Sequence, residues 1–199
     1  MPTLLVINSS PVTDNSVTRP LVQQFVEGWK ARNPEGRVIH RDIGRNPPPL
    51  LDEVTIGAFY TAPEARNAGQ QRAVALSDEL VDELVAADAL VIGAPMHNFT
   101  VTGALKSYLD QVARVGRTFK YTDQGPEGLL ADKPVYLITS SGGDYRPGAP
   151  AAALNHRDEM LRTVLGFLGL TDLHFVHAAG VAAGEAGVDE ARAALAALA

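Results

Sequence analysis

The chain has 199 residues, 46% hydrophobic and 20% charged, with a net charge of -6 at neutral pH. At roughly 150 residues per domain this length suits one domain, expected to span 1–199, and the apolar content excludes a disordered chain. The acidic balance argues against a nucleic-acid partner, no apolar run approaches the ~20 residues of a membrane-spanning helix, and the absence of cysteine excludes disulfides, thiolate catalysis, Cys-based zinc sites and iron–sulfur clusters.

Met1 to Asn8 carries no basic segment, and its apolar stretch is too short for a secretory signal, so a cytoplasmic location is expected. Leu4-Leu5-Val6-Ile7 reads as a strand buried on both faces, ending in Asn8-Ser9-Ser10-Pro11. Leu21, Val22, Phe25, Val26 and Trp29 recur at helical spacing until Asn33-Pro34 and Gly36 stop the pattern. Val38-Ile39 is a short, polar-flanked strand, and Arg45 to Asn67 is a long connection with Pro47-Pro48-Pro49, Phe59 and Tyr60. Ala73, Leu76, Leu80, Leu84 and Val85 predict a helix, and Ala89 to Ile92 the next strand. Leu105, Tyr108, Leu109, Val112 and Ala113 predict another helix, followed by a second long connection from Arg117 to Lys133 with Phe119 and Tyr121. Strands at Val135 to Ile138 and Leu173 to Val176 flank a helix through Leu161, Val164, Leu165 and Leu168, and an alanine-rich helix from Asp189 to Ala199 closes the chain.

Strands alternating with helices imply a parallel sheet covered on both faces with right-handed crossovers. Five strands favour a flavodoxin-like three-layer sandwich, strand order 2-1-3-4-5, over a six-stranded dinucleotide fold. In that order strands 1, 3 and 4 are neighbours, and ligands bind beyond the carboxyl ends of such strands.

Three exit loops therefore matter. The first, Ser9 to Thr18, is rich in hydroxyls at a helix N-terminus, where free amides favour an anion. It has no Gly-Lys-Ser/Thr and no G-x-G-x-x-G, so a phosphate monoester suits it better than a triphosphate or dinucleotide; the plain alternative is an ordinary helix cap. The second, Gly93 to Thr100, offers the Asn98 amide and the Phe99 ring to a planar heterocycle, or is simply a turn with a packing Phe. The third, Thr139 to Tyr145, holds Gly142-Gly143, which permits positive φ and close backbone approach, or a flexible turn. A phosphate, a heterocycle edge and a close backbone contact at three adjacent strand ends together describe flavin mononucleotide (FMN).

At these residues the sequence resembles the FMN-dependent NADH-azoreductase family of flavodoxin-like NAD(P)H:quinone and azo oxidoreductases. The matching stretches are SSPVTDNSVT, APMHNF, LKSYLDQVARVGRTFKYTDQGPEGLL, TSSGGDY and FLGLTDLHFVHAAG, nearly the whole chain. The resemblance implies that Ser10, Ser16, Val17 and Thr18 hold the FMN phosphate, that Met96, His97, Asn98 and Phe99 contact the isoalloxazine, and that Ser140, Ser141, Gly142 and Gly143 line its far edge. It implies a homodimer with flavin sites near the subunit interface, NADH or NADPH as co-substrate, and quinones or azo compounds as acceptors. Two positions depart from the family pattern: His97 stands where Tyr is frequent, and Ser141 where Arg is frequent.

In such a reaction the flavin carries the chemistry, so the chain needs no nucleophile. His97 and Tyr121 are the candidate proton donors, and Phe59, Tyr60, Phe119 and Tyr121 the candidate walls of the substrate pocket. Arg114, Arg117 and Lys120 form a basic cluster that either meets dinucleotide phosphates or, more plainly, is a solvated face. The histidines have no metal-ligand spacing, so no metal is expected. The competing function classes are an electron carrier or FMN-binding module with no acceptor of its own, and a phosphate-ester hydrolase, which the missing Cys nucleophile and missing Asp cluster disfavour.

Overall fold

In the computed structural model, which describes residues 1–198, the apolar run Leu4 to Ile7 is fully buried. It forms the middle of β1 (Thr3–Asn8). Successive side chains on a strand point to opposite faces. Leu5 and Ile7 therefore enter one core layer and Leu4 and Val6 the other. The remaining strands are β2 (Arg37–Asp42), β3 (Ala89–Pro95), β4 (Phe119–Thr122), β5 (Gly125–Gly128), β6 (Val135–Ser141) and β7 (Leu173–Ala179). The main sheet is parallel, with order β2-β1-β3-β6-β7. Setting β4 and β5 aside, this is the expected 2-1-3-4-5 arrangement of a flavodoxin-like fold.

Six α-helices accompany the sheet: α1 (Thr18–Arg32), α2 (Glu53–Phe59), α3 (Ala68–Ala86), α4 (Gly103–Val112), α5 (His156–Leu168) and α6 (Ala186–Ala197). Apolar residues of α1 and α6 pack with Leu4, Val6 and Val91 on one face. Those of α3, α4 and α5 pack with Leu5, Ile7 and Ile92 on the other. The last helix starts three residues earlier than its alanine run suggests, which puts Asp189 in its first turn, where the helix dipole favours an acid. Its expected end at Ala199 lies outside the described residues.

Both long connections are structured, which corrects their reading as loops. Arg45 to Asn67 contains α2, capped by Asp52 Oδ1 accepting from Thr55 N–H at 2.7 Å. Arg117 to Lys133 contains an antiparallel hairpin, with Phe119 opposite Gly128 and Thr122 opposite Gly125. The hairpin owes its place to docking. Leu130 N–H donates to Leu168 O at 3.1 Å, and a side chain at position 128 would collide with the backbone of Leu168 and Gly169. This is the end of α5 that leads into β7, opposite the exit loops.

Candidate functional site

The first exit loop is tied to its neighbour at the sheet edge. Ser9 donates both its N–H and its hydroxyl to Gly93 O, at 3.1 and 2.7 Å. The chain then reaches α1 past Ser10 and Ser16, whose buried hydroxyls are hydrogen-bonded at 3.0 Å. The first turn of α1 has no acidic residue, and Pro20 stands where a helix has no use for an N–H. The amides of that turn and the helix dipole favour an anion. Thr18 Oγ1 is buried there, with no hydrogen-bond partner among the described residues.

Arg19 organises this loop, a role its sequence position did not signal. Its guanidinium donates to Ser10 O at 2.8 Å and Val12 O at 3.0 Å, and by bonds of 2.7 and 2.8 Å to the Asp42 carboxylate at the end of β2. The pairing raises Arg19 and holds Asp42 below the usual carboxylate range. Since Asp42 balances Arg19, the loop presents amides and hydroxyls rather than a free cation.

The second exit loop is a tight hairpin. His97 N–H donates to Thr100 O at 2.9 Å and Thr100 N–H donates to His97 O at 3.1 Å. Its central residues, Asn98 and Phe99, have φ of +47° and +70° and are the only non-glycine residues with positive φ among those described. A two-residue hairpin of this kind requires that conformation. Asn adopts it readily, whereas for most other side chains it costs about 1–2 kcal/mol. Strain of this order persists where surrounding contacts enforce it, and such positions cluster at ligand sites.

The third exit loop meets the second. Ser140 O accepts Met96 N–H at 2.8 Å, and buried Ser141 donates its hydroxyl to Gly143 O at 2.9 Å. Neither Gly142 nor Gly143 takes a positive φ, which corrects one of the two reasons the sequence offers for them. Gly143 instead makes room for an aromatic ring: a Cβ there would lie 3.1 Å from the Tyr145 ring. Tyr145 stands edge-on to Phe99 with centroids 6.0 Å apart. Met96, Asn98, Phe99, Gly142, Gly143 and Tyr145 line a cleft of about 230 Å³. Tyr145 was missed in the sequence; its one signal was an aromatic residue two positions after a glycine pair.

The fold thus brings Ser10, Ser16, Val17, Thr18, Met96, Asn98, Phe99, Ser140, Ser141, Gly142 and Gly143 to one end of three adjacent strands. His97 is exposed at the rim and does not line the cleft. The four aromatic residues read as substrate walls lie elsewhere on the chain. Phe59 and Tyr60, at the end of α2, line a different cavity of about 600 Å³ with Arg114. Helix α4, ten residues long, separates Arg114 from the second exit loop, a length of about 15 Å. Phe119 packs on Phe167 at 4.4 Å and on Tyr121 at 5.4 Å, beside the far end of α5.

Arg114 is also not a solvated residue. It is 1% exposed, donates to Ser77 Oγ at 2.7 Å and Asp78 Oδ1 at 2.9 Å, and covers the Phe59 ring at 4.3 Å. Burial lowers its pKa against the opposing pull of Asp78. The basic cluster therefore includes a structural tie between α3 and the end of α4.

Relatives carry the same architecture. The chain matches the family described as the flavodoxin-like fold over residues 2–199. It is 48% identical over 191 residues to the FMN-dependent NADH:quinone oxidoreductase of Herminiimonas arsenicoxydans, covering 96% of this chain and 93% of that protein. It is 44% identical over 186 residues to a protein of the same description from Nostoc sp., covering 93% and 90%. A solved FMN-dependent NADH-azoreductase from Bacillus anthracis, in complex with FMN, superposes with a TM-score of 0.87 at 26% identity, covering 100% of both chains. With this fold and these relatives, the chain belongs to the flavodoxin-like family of FMN-dependent NADH:quinone oxidoreductases.

Proposed function

We propose that this chain is an FMN-dependent oxidoreductase that takes electrons from NADH or NADPH and passes them, as a homodimer in the cytoplasm, to quinones and azo compounds. The observation that carries this reading is the cleft between the β3 and β6 exit loops, with the acid-free N-terminus of α1 after the neighbouring strand β1 and a strained Asn98–Phe99 turn on the cleft wall.

The residues present fit FMN. Thr18 Oγ1, buried and unpartnered among the described residues, supplies a donor of the kind a phosphate needs; the Ser10 and Ser16 hydroxyls, bonded to Val12 O and to each other, would turn to the phosphate, and the open amides of α1 add the dipole. The Asn98 amide matches the polar edge of the ring, and Phe99 and Tyr145 offer apolar surface beside it. When bound, FMN supplies the acceptance and donation of hydride.

The chain's own residues position, cover and protonate. Phe99, Tyr145 and the Gly142–Gly143 backbone cover one side of the cleft, leaving one open face that nucleotide and acceptor occupy in turn. Kinetics are therefore ping-pong. Reduction of a quinone by NADH consumes one proton beyond the transferred hydride. We assign its supply to His97, exposed at the rim, with Tyr121 as the second candidate. Two such cycles, with two molecules of NADH and two further protons, reduce an azo compound to two amines.

Phe59, Tyr60, Phe119 and Tyr121 lie away from the chain's own cleft. They wall a substrate only across a dimer, and Tyr60 and Tyr121, 68% and 66% exposed, are the surface for that meeting. No helix among the described residues is long and apolar enough to cross a membrane. Initial rates measured while varying NADH and a quinone test the mechanism: parallel double-reciprocal lines are expected, and intersecting lines contradict the shared face. Light scattering tests the assembly: twice the 21.1 kDa of one chain is expected, and 21.1 kDa with flavin bound contradicts the homodimer.

A further inference from the structure

The N-terminal end of α5 is tied to both exit loops that line the cleft. Asn155 Nδ2 donates to Tyr145 O at 3.1 Å. Arg157 N–H donates to Phe99 O at 3.1 Å, and Arg157 Nη1 donates to Ser140 O at 3.0 Å. Ser140 O is the same carbonyl that accepts Met96 N–H, so one oxygen joins two exit loops to Arg157. Behind the guanidinium, Arg157 Nε donates to Asp158 Oδ1 at 2.8 Å, and Asp158 Oδ2 bonds His177 Nε2 on β7 at 2.7 Å.

Such a cation is costly to bury. Arg157 is 1% exposed, and burial lowers its pKa. Burial pushes Asp158 up, but the His177 bond and the Arg157 charge outweigh it and hold the carboxyl below its usual range. An apolar side chain of similar length would fill the space without the desolvation penalty that buried ion pairs carry. Packing alone therefore does not account for an arginine here. Its distinctive product is a fixed, charge-assisted donor on the carbonyl that joins the two loops.

We propose that Arg157 is a positioning residue for the flavin: its guanidinium, held by Asp158 and His177, locks the β3 and β6 exit loops in the spacing that binds FMN and balances the Asp158 charge behind those loops. This inference rests on the flavin reading and adds to it a part that none of the exit-loop residues supplies. Removing the cation leaves the buried Asp158 carboxylate without its guanidinium and with His177 as its remaining side-chain partner. FMN then binds more weakly, and its reduced form, which gains negative charge, is disfavoured.

The test uses full-length wild type, Arg157→Met, Arg157→Lys and the charge-neutral double variant Arg157→Met with Asp158→Asn. Three quantities are read: FMN affinity by titration into apoprotein, the midpoint potential of bound FMN, and the melting temperature of apoprotein. Arg157→Met is expected to lose tenfold or more in FMN affinity and to lower the potential. Arg157→Lys is expected to restore at least half of the affinity loss on a logarithmic scale. The double variant is expected to recover the potential but not the affinity, because charge is rebalanced while the loops stay unfastened. If Arg157→Met does not fold, Arg157→Lys and His177→Phe, which loosens Asp158, decide in its place: the proposal expects intermediate affinity losses in both. A lowered melting temperature with unchanged affinity and potential would make Arg157 a packing residue and overturn the proposal. Equal losses in the Met and Lys variants overturn it as well. Wild type that binds FMN while all variants bind equally removes only this proposal, whereas wild type that takes no FMN removes the flavin reading and this one with it.

Discussion

Phe99 stands at φ +70° while its carbonyl accepts the backbone N–H of Arg157 at 3.1 Å. The strained turn of the second exit loop is thus pinned by the helix beneath the third. Replacing Phe99 by glycine creates Asn-Gly, the pair best suited to this turn. Phe99→Gly is expected to raise apoprotein stability by about 1 kcal/mol, or ~2–4 °C in melting temperature for a chain of this size, by removing the left-handed penalty. The same variant loses the ring that faces Tyr145, so FMN affinity falls. Thermal melts with and without FMN check both halves. An apoprotein less stable than that of Phe99→Ala, which also lacks the ring but keeps the left-handed penalty, would show that the turn carries no strain.

The Arg19–Asp42 pair predicts an acid-sensitive first loop. Asp42 is held below its usual range in the folded chain. Its contribution to stability is therefore complete above the unfolded carboxylate value of about 3.9 and disappears as pH falls through the lower folded value. Asp42→Asn is expected to cost about 1 kcal/mol at neutral pH and to flatten the loss of stability below about pH 4. Urea unfolding at a series of pH values measures it; parallel acid slopes for wild type and variant would contradict the assignment.

Arg114 separates structure from binding. Arg114→Met removes the donor to Ser77 and Asp78 and the cation over Phe59, and is expected to destabilise the chain by about 2–3 kcal/mol. Its KM for NADH should be unchanged, because Arg114 is buried behind the Phe59 ring and α4 stands between it and the chain's own cleft. A raised KM with little loss of stability would restore the reading of Arg114 as a contact for dinucleotide phosphates.

The parts of this architecture that the sequence made legible are those where burial is continuous. Leu4 to Ile7 and Ala89 to Ile92 lie inside the sheet with neighbours on both sides, so every position is apolar. β2 is an edge strand with one neighbour, and its sequence, Arg-Val-Ile-His-Arg-Asp, is correspondingly polar and faint. The β4–β5 hairpin was invisible because Gly-Pro-Glu-Gly has no strand character of its own; docking on α5 makes it a strand. At the site, hydroxyl and glycine loops announced themselves by composition. Arg19 and Arg157 did not, since an arginine on a helix reads as solvent-facing until the fold sets Asp42 or Ser140 against it. Nor does a sequence signal that Phe99 must adopt a left-handed backbone.

His97 bears on the reaction rather than on the fold. His97→Ala is expected to leave FMN affinity within about twofold, since the side chain is exposed and does not line the cleft. If it delivers the proton, the half-reaction with quinone slows by about 10²-fold or more while the half-reaction with NADH is unaffected. Stopped-flow measurement of the two halves decides it; equal slowing of both would remove His97 as donor and point to a general disturbance of the site.

The ends of β1, β3 and β6 are proposed to hold FMN, with its phosphate on the first loop. Titration of FMN into apoprotein, followed by quenching of flavin fluorescence, tests it most directly when wild type is compared with the double variant Ser16→Ala, Thr18→Ala. One saturable site per chain is expected in wild type. An affinity at least about tenfold weaker is expected in the variant, because each hydroxyl donor to a charged group contributes ~1.5–3 kcal/mol. Absence of saturable binding in wild type, or equal affinity in the two proteins, would contradict it.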